Sequence, residues 1–213
     1  MSREISYTAI ILKKQAFGEA DEIITFFTRE AGKVRGLAKS VKLAKSKLQN
    51  NLQNLTLVDV SLAGQGQLPK IIAAEAKQTF TGLRHNLDSL KRAFYASELV
   101  LRFTPDGQKD ETLFALLLEF LECLDAGAGH ADLALAKFKA GFLFSAGLAA
   151  TAHDSLGNQT ENLKLCRDLE ACEFGDLQGK PWDNIEPLQK FLSEFIVFHL
   201  EREVKSEQYL NAV

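Results

Sequence analysis

Along the first 80 residues apolar and polar positions alternate with a period of two. Thr8, Ile10 and Leu12 alternate with Ala9, Ile11 and Lys13, the pattern of a half-buried strand. Glu22 to Thr28 (EIITFFT) is β-branched and aromatic, and Glu30-Ala-Gly-Lys33 follows as a short hairpin connection to a returning strand over Val34 to Ser40. Leu55 to Leu62 sets Thr56, Val58, Val60 and Leu62 on one face, with Asp59 and Ser61 on the other. Gly64, Gly66 and Pro69 punctuate, and Lys70 to Gln78 resumes the alternation. Five short strands, with a helical period only near 42–52, predict a small closed barrel. Five is the strand count of an OB-fold, although an SH3-like barrel gives much the same pattern.

From about residue 84 the period becomes helical. Leu113, Leu116, Leu117, Phe120, Leu121 and Leu124 form one amphipathic stripe, with Asp110 and Glu111 at its start and Gly127 at its stop. Leu188, Phe191, Leu192, Phe195, Ile196 and Leu200 form a second, with Pro187 suited to its first turn. His85 to Phe103 makes a third helix, closed by Pro105. Residues 131–149 become apolar nearly all round, which predicts a helix at the centre of the helical part. Between about 150 and 186 the periodicity fails, and Gly157, Gly175, Gly179 and Pro181 predict a loop-rich insert with weak strand propensity. The fold class is therefore α+β: a β-barrel domain over 1–80, then an α-helical domain over 81–213.

Composition adds little until it is divided. The chain is 46% hydrophobic and 25% charged, which excludes disordered and low-complexity classes. Residues 1–15 lack a signal-peptide layout. The longest uncharged apolar stretch, Ala140 to Ala152, is 13 residues, short of the about 20 needed to span a bilayer. With three cysteines and no CxxC pair, a soluble, reduced, cytoplasmic protein is expected. The net charge of −3 conceals a split: 12 basic and 7 acidic residues over 1–80, against 13 and 21 over 81–213. Lys33, Arg35, Lys39, Lys42, Lys45 and Lys47 fall within fifteen residues that hold no acid. A solvated strand edge accounts for two or three such lysines. Six cations without an acid form the track a phosphate backbone requires. The segment itself carries no aromatic; Phe17, Phe26 and Phe27 lie upstream, and at strand spacing at least one of them belongs to the core. Binding is therefore expected to depend on charge more than on base sequence.

No catalytic constellation is evident. Cys123, Cys166, Cys172, His85, His130, His153 and His199 show no CxxC, HExxH or HxxxH spacing, so no metal site is expected. There is no GxSxG, and Ser145 lies in the apolar helix as a small packing residue. Ser40-Val-Lys-Leu matches an SxxK string only in part and lacks its companion motifs. Gly64-Gln-Gly66 is too short for a dinucleotide fingerprint, and no GxxxxGK[ST] is present. The carboxylates Asp21-Glu22 and Glu201/Glu203 are expected on solvated faces. The chain is not expected to be an enzyme.

The run Phe17-Gly-Glu-Ala-Asp, the hairpin Thr28-Arg-Glu-Ala-Gly-Lys-Val-Arg-Gly-Leu-Ala-Lys39, Lys45-Ser-Lys-Leu48 and the closing Phe198-His-Leu-Glu-Arg-Glu-Val-Lys-Ser-Glu-Gln-Tyr-Leu210 resemble the bacterial DNA repair family RecO. The resemblance implies an N-terminal OB-fold and a helical C-terminal domain. It also implies a recombination mediator that binds single- and double-stranded DNA and anneals complementary strands. With RecR, and often RecF, such proteins load RecA onto strands covered by single-strand-binding protein (SSB), whose acidic tail they also bind. The DNA-binding positions carried over are Arg35, Lys39, Lys42, Lys45 and Lys47, with Lys33 beside them; the location implied is cytoplasmic, at the nucleoid. Many members hold zinc on four cysteines in the C-terminal domain. Here the matching insert has only Cys166 and Cys172, so no zinc and no cofactor is expected, and the chain's shortness for the family is placed in this insert. Lys205 and Phe195–Phe198 are candidates for the tail pocket, with helix packing the better reading of the phenylalanines. A partner-docking adaptor and an RNA-binding OB protein remain alternatives.

Overall fold

The computed structural model describes every residue except 1–3, 44–45, 47, 65, 67, 128–129, 149–159, 178–184, 201–203 and 211–213; the expected candidates Lys45, Lys47, His153, Glu201 and Glu203 therefore lie outside the described residues. By packing the chain divides into two units. The first comprises Met1–Phe80 with Ser97–Phe114, and the second Thr81–Ala96 with Ala115–Val213.

The first unit is built on five strands: β1 (Glu4–Phe17), β2 (Asp21–Thr28), β3 (Gly32–Ala38), β4 (Leu57–Ala63) and β5 (Lys70–Gln78). They close into a barrel in the order β1-β2-β3-β5-β4. Neighbours are antiparallel except β3 and β5, which meet in parallel at Leu37 and Lys70. Strand alternation sends Ala9, Ile11, Ile24, Phe26, Ala38, Val58, Val60, Leu62 and Ile71 inward, where Val41 and Leu52 join them. Each large apolar side chain buried this way contributes about 1.5–3 kcal/mol. Gly36 also faces inward; a Cβ there would stand 2.8 Å from Ile71 Cγ1 and 3.0 Å from Leu62 Cδ2, so the barrel's width at that level requires glycine.

The alternation of β1 does not run unbroken. The pairing with β2 is in step up to Ile11↔Phe26 and resumes one residue later at Lys13↔Thr25, leaving Leu12 as a bulge. Odd residues face inward before it (Ala9, Ile11) and outward after it (Lys13, Gln15, Phe17). Segment Ser97–Phe114 covers part of the outer surface. Ser97 Oγ donates to Leu12 O at 3.2 Å, the Phe27 and Phe114 rings lie 6.1 Å apart, and Gly107 N–H donates to Lys33 O at 2.9 Å. Gly32 opens β3 at φ +66°, and a Cβ on it would overlap the Gln108 carbonyl oxygen.

The described helices are α1 (Thr81–His85), α2 (Leu87–Phe103), α3 (Glu111–Asp125), α4 (Ala131–Ser145), α5 (Thr160–Ala171), α6 (Ile185–Leu200) and α7 (Glu207–Leu210). The helix expected from His85 breaks at Asn86, whose Oδ1 accepts Ser89 N–H at 3.0 Å as an N-cap for α2. Asp110 caps α3 through Leu113 N–H at 2.8 Å. Gly127, with φ +70°, follows its end as the pattern predicts.

In the second unit α4 is buried on every side from Leu133 to Ala140 and packs against α5, α6 and the 3₁₀ turn Phe174–Leu177. Its two lysines are buried with their partners: Lys137 Nζ donates to Leu169 O at 3.0 Å and lies over the Phe174 ring. Lys139 Nζ donates to Gln189 Oε1 at 3.0 Å and Ser193 Oγ at 2.7 Å. Of the loop-rich insert expected between about 150 and 186, residues 150–159 and 178–184 lie outside the described residues, and Thr160–Ala171 is helix α5 where loop was expected. Cys166 and Leu169 are buried on it, and Cys172, one residue past its end, continues the same three-residue spacing; read only as possible ligands, the cysteines hide this apolar stripe. Among the described residues no helix is long and apolar enough to cross a membrane.

Candidate nucleic-acid interface

The outer face of β1–β2–β3 can be read as rows across the strands. Lys13 pairs with Thr25 and Thr25 with Arg35; Gln15 pairs with Ile23 and Ile23 with Leu37; Phe17 pairs with Asp21. Paired residues share a face, so Lys13 and Arg35 stand in one outward row, two strand spacings apart, about 10 Å. Lys39 follows Ala38 at the end of β3, and both Lys39 and Lys42 are exposed. Two hydrogen bonds tie this segment to the β1–β2 turn: Ser40 N–H to Asp21 Oδ1 at 2.7 Å, and Lys42 N–H to Ala20 O at 3.1 Å.

The six candidate cations are not equivalent. Lys33 Nζ donates to Leu101 O at 2.8 Å and Thr104 O at 2.6 Å, and pairs with Asp106 Oδ1 at 3.2 Å. With its side chain 11% exposed, Lys33 closes the C-terminal carbonyls of α2, where a cation is favoured by the helix dipole. Arg35 is half exposed and meets Asp106 Oδ2 at 3.2 Å. At that exposure the pair is weak, and the guanidinium keeps donors for another acceptor. Neither Lys39 nor Lys42 has an ion-pair partner among the described residues. The sequence reading missed Lys13, on the Arg35 row, and Lys70, exposed where β5 meets β3. Of the carboxylates expected on solvated faces, Asp21 accepts Ser40 N–H, and Glu22 pairs with Lys14 at 3.3 Å on the strands' other face.

The four-cysteine zinc site of many RecO-like proteins does not fit this chain. Cys166 and Cys172 are both buried, and burial pushes the Cys166 thiol up to about 12, which disfavours the thiolate a zinc ion needs. Among the described residues no three His, Cys, Asp or Glu side chains are grouped to hold a metal. Elsewhere in the second unit Phe195 is buried, whereas Phe198 is 78% exposed. Val197, Val204, Lys205, Glu207 and Gln208 line an open cavity of about 440 Å³.

A five-stranded barrel with this strand order, followed by a helical region, is an OB-like barrel protein of the α+β class. The family model described as Recombination protein O N terminal matches residues 1–80, and that described as Recombination protein O C terminal matches 84–155. The chain belongs to the RecO family. It is 39% identical over 139 residues to the DNA repair protein RecO of Dehalococcoides mccartyi (strain CBDB1), covering 65% of this chain and 54% of that protein. It is 37% identical over 119 residues to that of Geobacter metallireducens, covering 56% and 49%. With that of Acaryochloris marina it shares 34% over 154 residues, covering 72% and 53%. The chain thus spans about half the length of these relatives.

Proposed function

We propose that this chain is a DNA-binding recombination mediator of DNA repair, acting without bond chemistry. It anneals complementary strands and, with RecR, helps to load RecA onto single strands covered by SSB; RecF is a further partner, and the place of action is the cytoplasm at the nucleoid. The observation that carries the reading is the exposed pair Lys39 and Lys42 beside the outward Arg35, on the barrel of a RecO-family chain. Two polyanions repel, and a cationic surface that neutralises phosphates on both lowers that repulsion while the bases select the partner. Lys45 and Lys47 complete the strip in this proposal, whereas Lys33 leaves it because its ammonium holds helix carbonyls.

A second surface favours partner docking alongside DNA binding. Val197, Phe198 and Tyr209 are exposed, and Lys205 lies at the cavity they adjoin in sequence. An acidic peptide ending in an apolar residue, such as the SSB tail, suits that chemistry. Annealing of two complementary labelled oligonucleotides tests the main reading. The chain is expected to accelerate annealing at low salt and to lose the effect as salt rises. An annealing rate equal to that of the bare oligonucleotides at all salt concentrations would contradict it.

A further inference from the structure

Phe17, 49% exposed, closes β1, whereas Phe26 and Phe27 of β2 are fully buried. The bulge at Leu12 is what turns it outward: in unbroken alternation residue 17 would share the inward face of Ala9 and Ile11. The turn that follows, opened by Gly18 at φ +66°, is bonded to the segment carrying the strip's exposed lysines. Lys42 N–H reaches Ala20 O, and Ser40 N–H reaches Asp21, the cross-strand partner of Phe17. An aromatic face, two cations and the exposed Leu43 are thus brought to one end of the barrel. Of the acids at the turn, Glu22 is paired with Lys14, Asp21 accepts the Ser40 amide and keeps its charge, and Glu19 is exposed at the tip.

We propose that Phe17 is the stacking platform for a base of single-stranded nucleic acid whose phosphates lie on Lys39 and Lys42. The inference rests on the nucleic-acid reading of the strip and adds what charge alone does not supply. Every base has a π-face, so a half-exposed ring next to a cationic track binds single strands without reading sequence. A paired duplex does not offer that face, so Phe17 gives the barrel a preference for single strands.

The test compares a single-stranded deoxyoligonucleotide with one of equal length and charge whose central residues are abasic, by fluorescence anisotropy at fixed salt. Wild type is expected to bind the base-bearing strand about five- to twentyfold more tightly. Phe17→Ala and Phe17→Leu should bind both strands equally, with the salt dependence of wild type, and Phe17→Tyr should restore the difference. Because the side chain is half exposed, thermal unfolding should barely change. Salt-dependent binding with no base preference in wild type, or a preference that survives Phe17→Ala, overturns the stacking role and leaves the phosphate strip standing. Failure of wild type to bind either strand at low salt overturns the strip and the platform together.

Discussion

Lys33 and Lys39 are six residues apart, both lysines of the same basic run, and the structure gives them different work. The Lys33 ammonium lies where α2 leaves carbonyls without intrahelical partners, and it bonds Leu101 O and Thr104 O while Asp106 balances its charge. Hydrogen bonds to a charged donor contribute about 1.5–3 kcal/mol, and removing the donor leaves acceptors unsatisfied. Lys33→Met should therefore lower the barrel unit's stability by about 2 kcal/mol in urea unfolding, with the salt slope of DNA binding unchanged. A variant as stable as wild type but with a flatter slope would return Lys33 to the strip. Composition shows six cations and no acid between 33 and 47. It does not show Asp106 and two carbonyls some 70 residues away, so which cation is internal is not legible locally.

At the scale of elements the strands were legible from alternation: all five appear, and β5 spans Lys70–Gln78 as its pattern predicts. The β1 bulge was not, because a period-two reading of Lys13, Gln15 and Phe17 carries the wrong parity once Leu12 is inserted. Alternation from Ala9 and Ile11 sets Lys13 on the inward face, whereas the bulge turns it outward; in the sequence Phe17 stands apart only as lying upstream of the basic segment. Helix α4 was legible as an all-round apolar element, yet its lysines were not expected inside. Burial pulls the Lys139 ammonium down to about 8, against which Glu207 and Asp132 favour the charge and Arg92 opposes it. The unfolded chain then binds more protons than the folded one between pH 8 and the ordinary lysine value, so stability rises with pH across that window. Below pH 8 the lysine is protonated in both states and the full cost of burying its charge is present. Compared with Lys139→Met, wild type should gain on the order of 3 kcal/mol between pH 8 and 10.5 in chemical unfolding. A constant difference between the two would show that Lys139 does not titrate there.

For the whole molecule, charge separates along the chain: net +5 over residues 1–80 and −8 over 81–213. A polyanion approaching the chain responds to the local potential and not to a net of −3. The five cations assigned to the strip in the proposed function, Arg35, Lys39, Lys42, Lys45 and Lys47, set the expected thermodynamics. Four or five phosphate contacts on a single strand give a slope of log K against log salt of about −3, because each neutralised phosphate releases counterions. The measurement that tests this most directly is a salt titration of binding to a fluorescent single-stranded oligonucleotide, on wild type and on Lys39→Glu/Lys42→Glu. Wild type should show the slope of about −3, and the variant should bind far more weakly with a slope shallower by about 1.5, at unchanged thermal stability. A variant with wild-type affinity and slope would contradict the placement of nucleic acid on this strip.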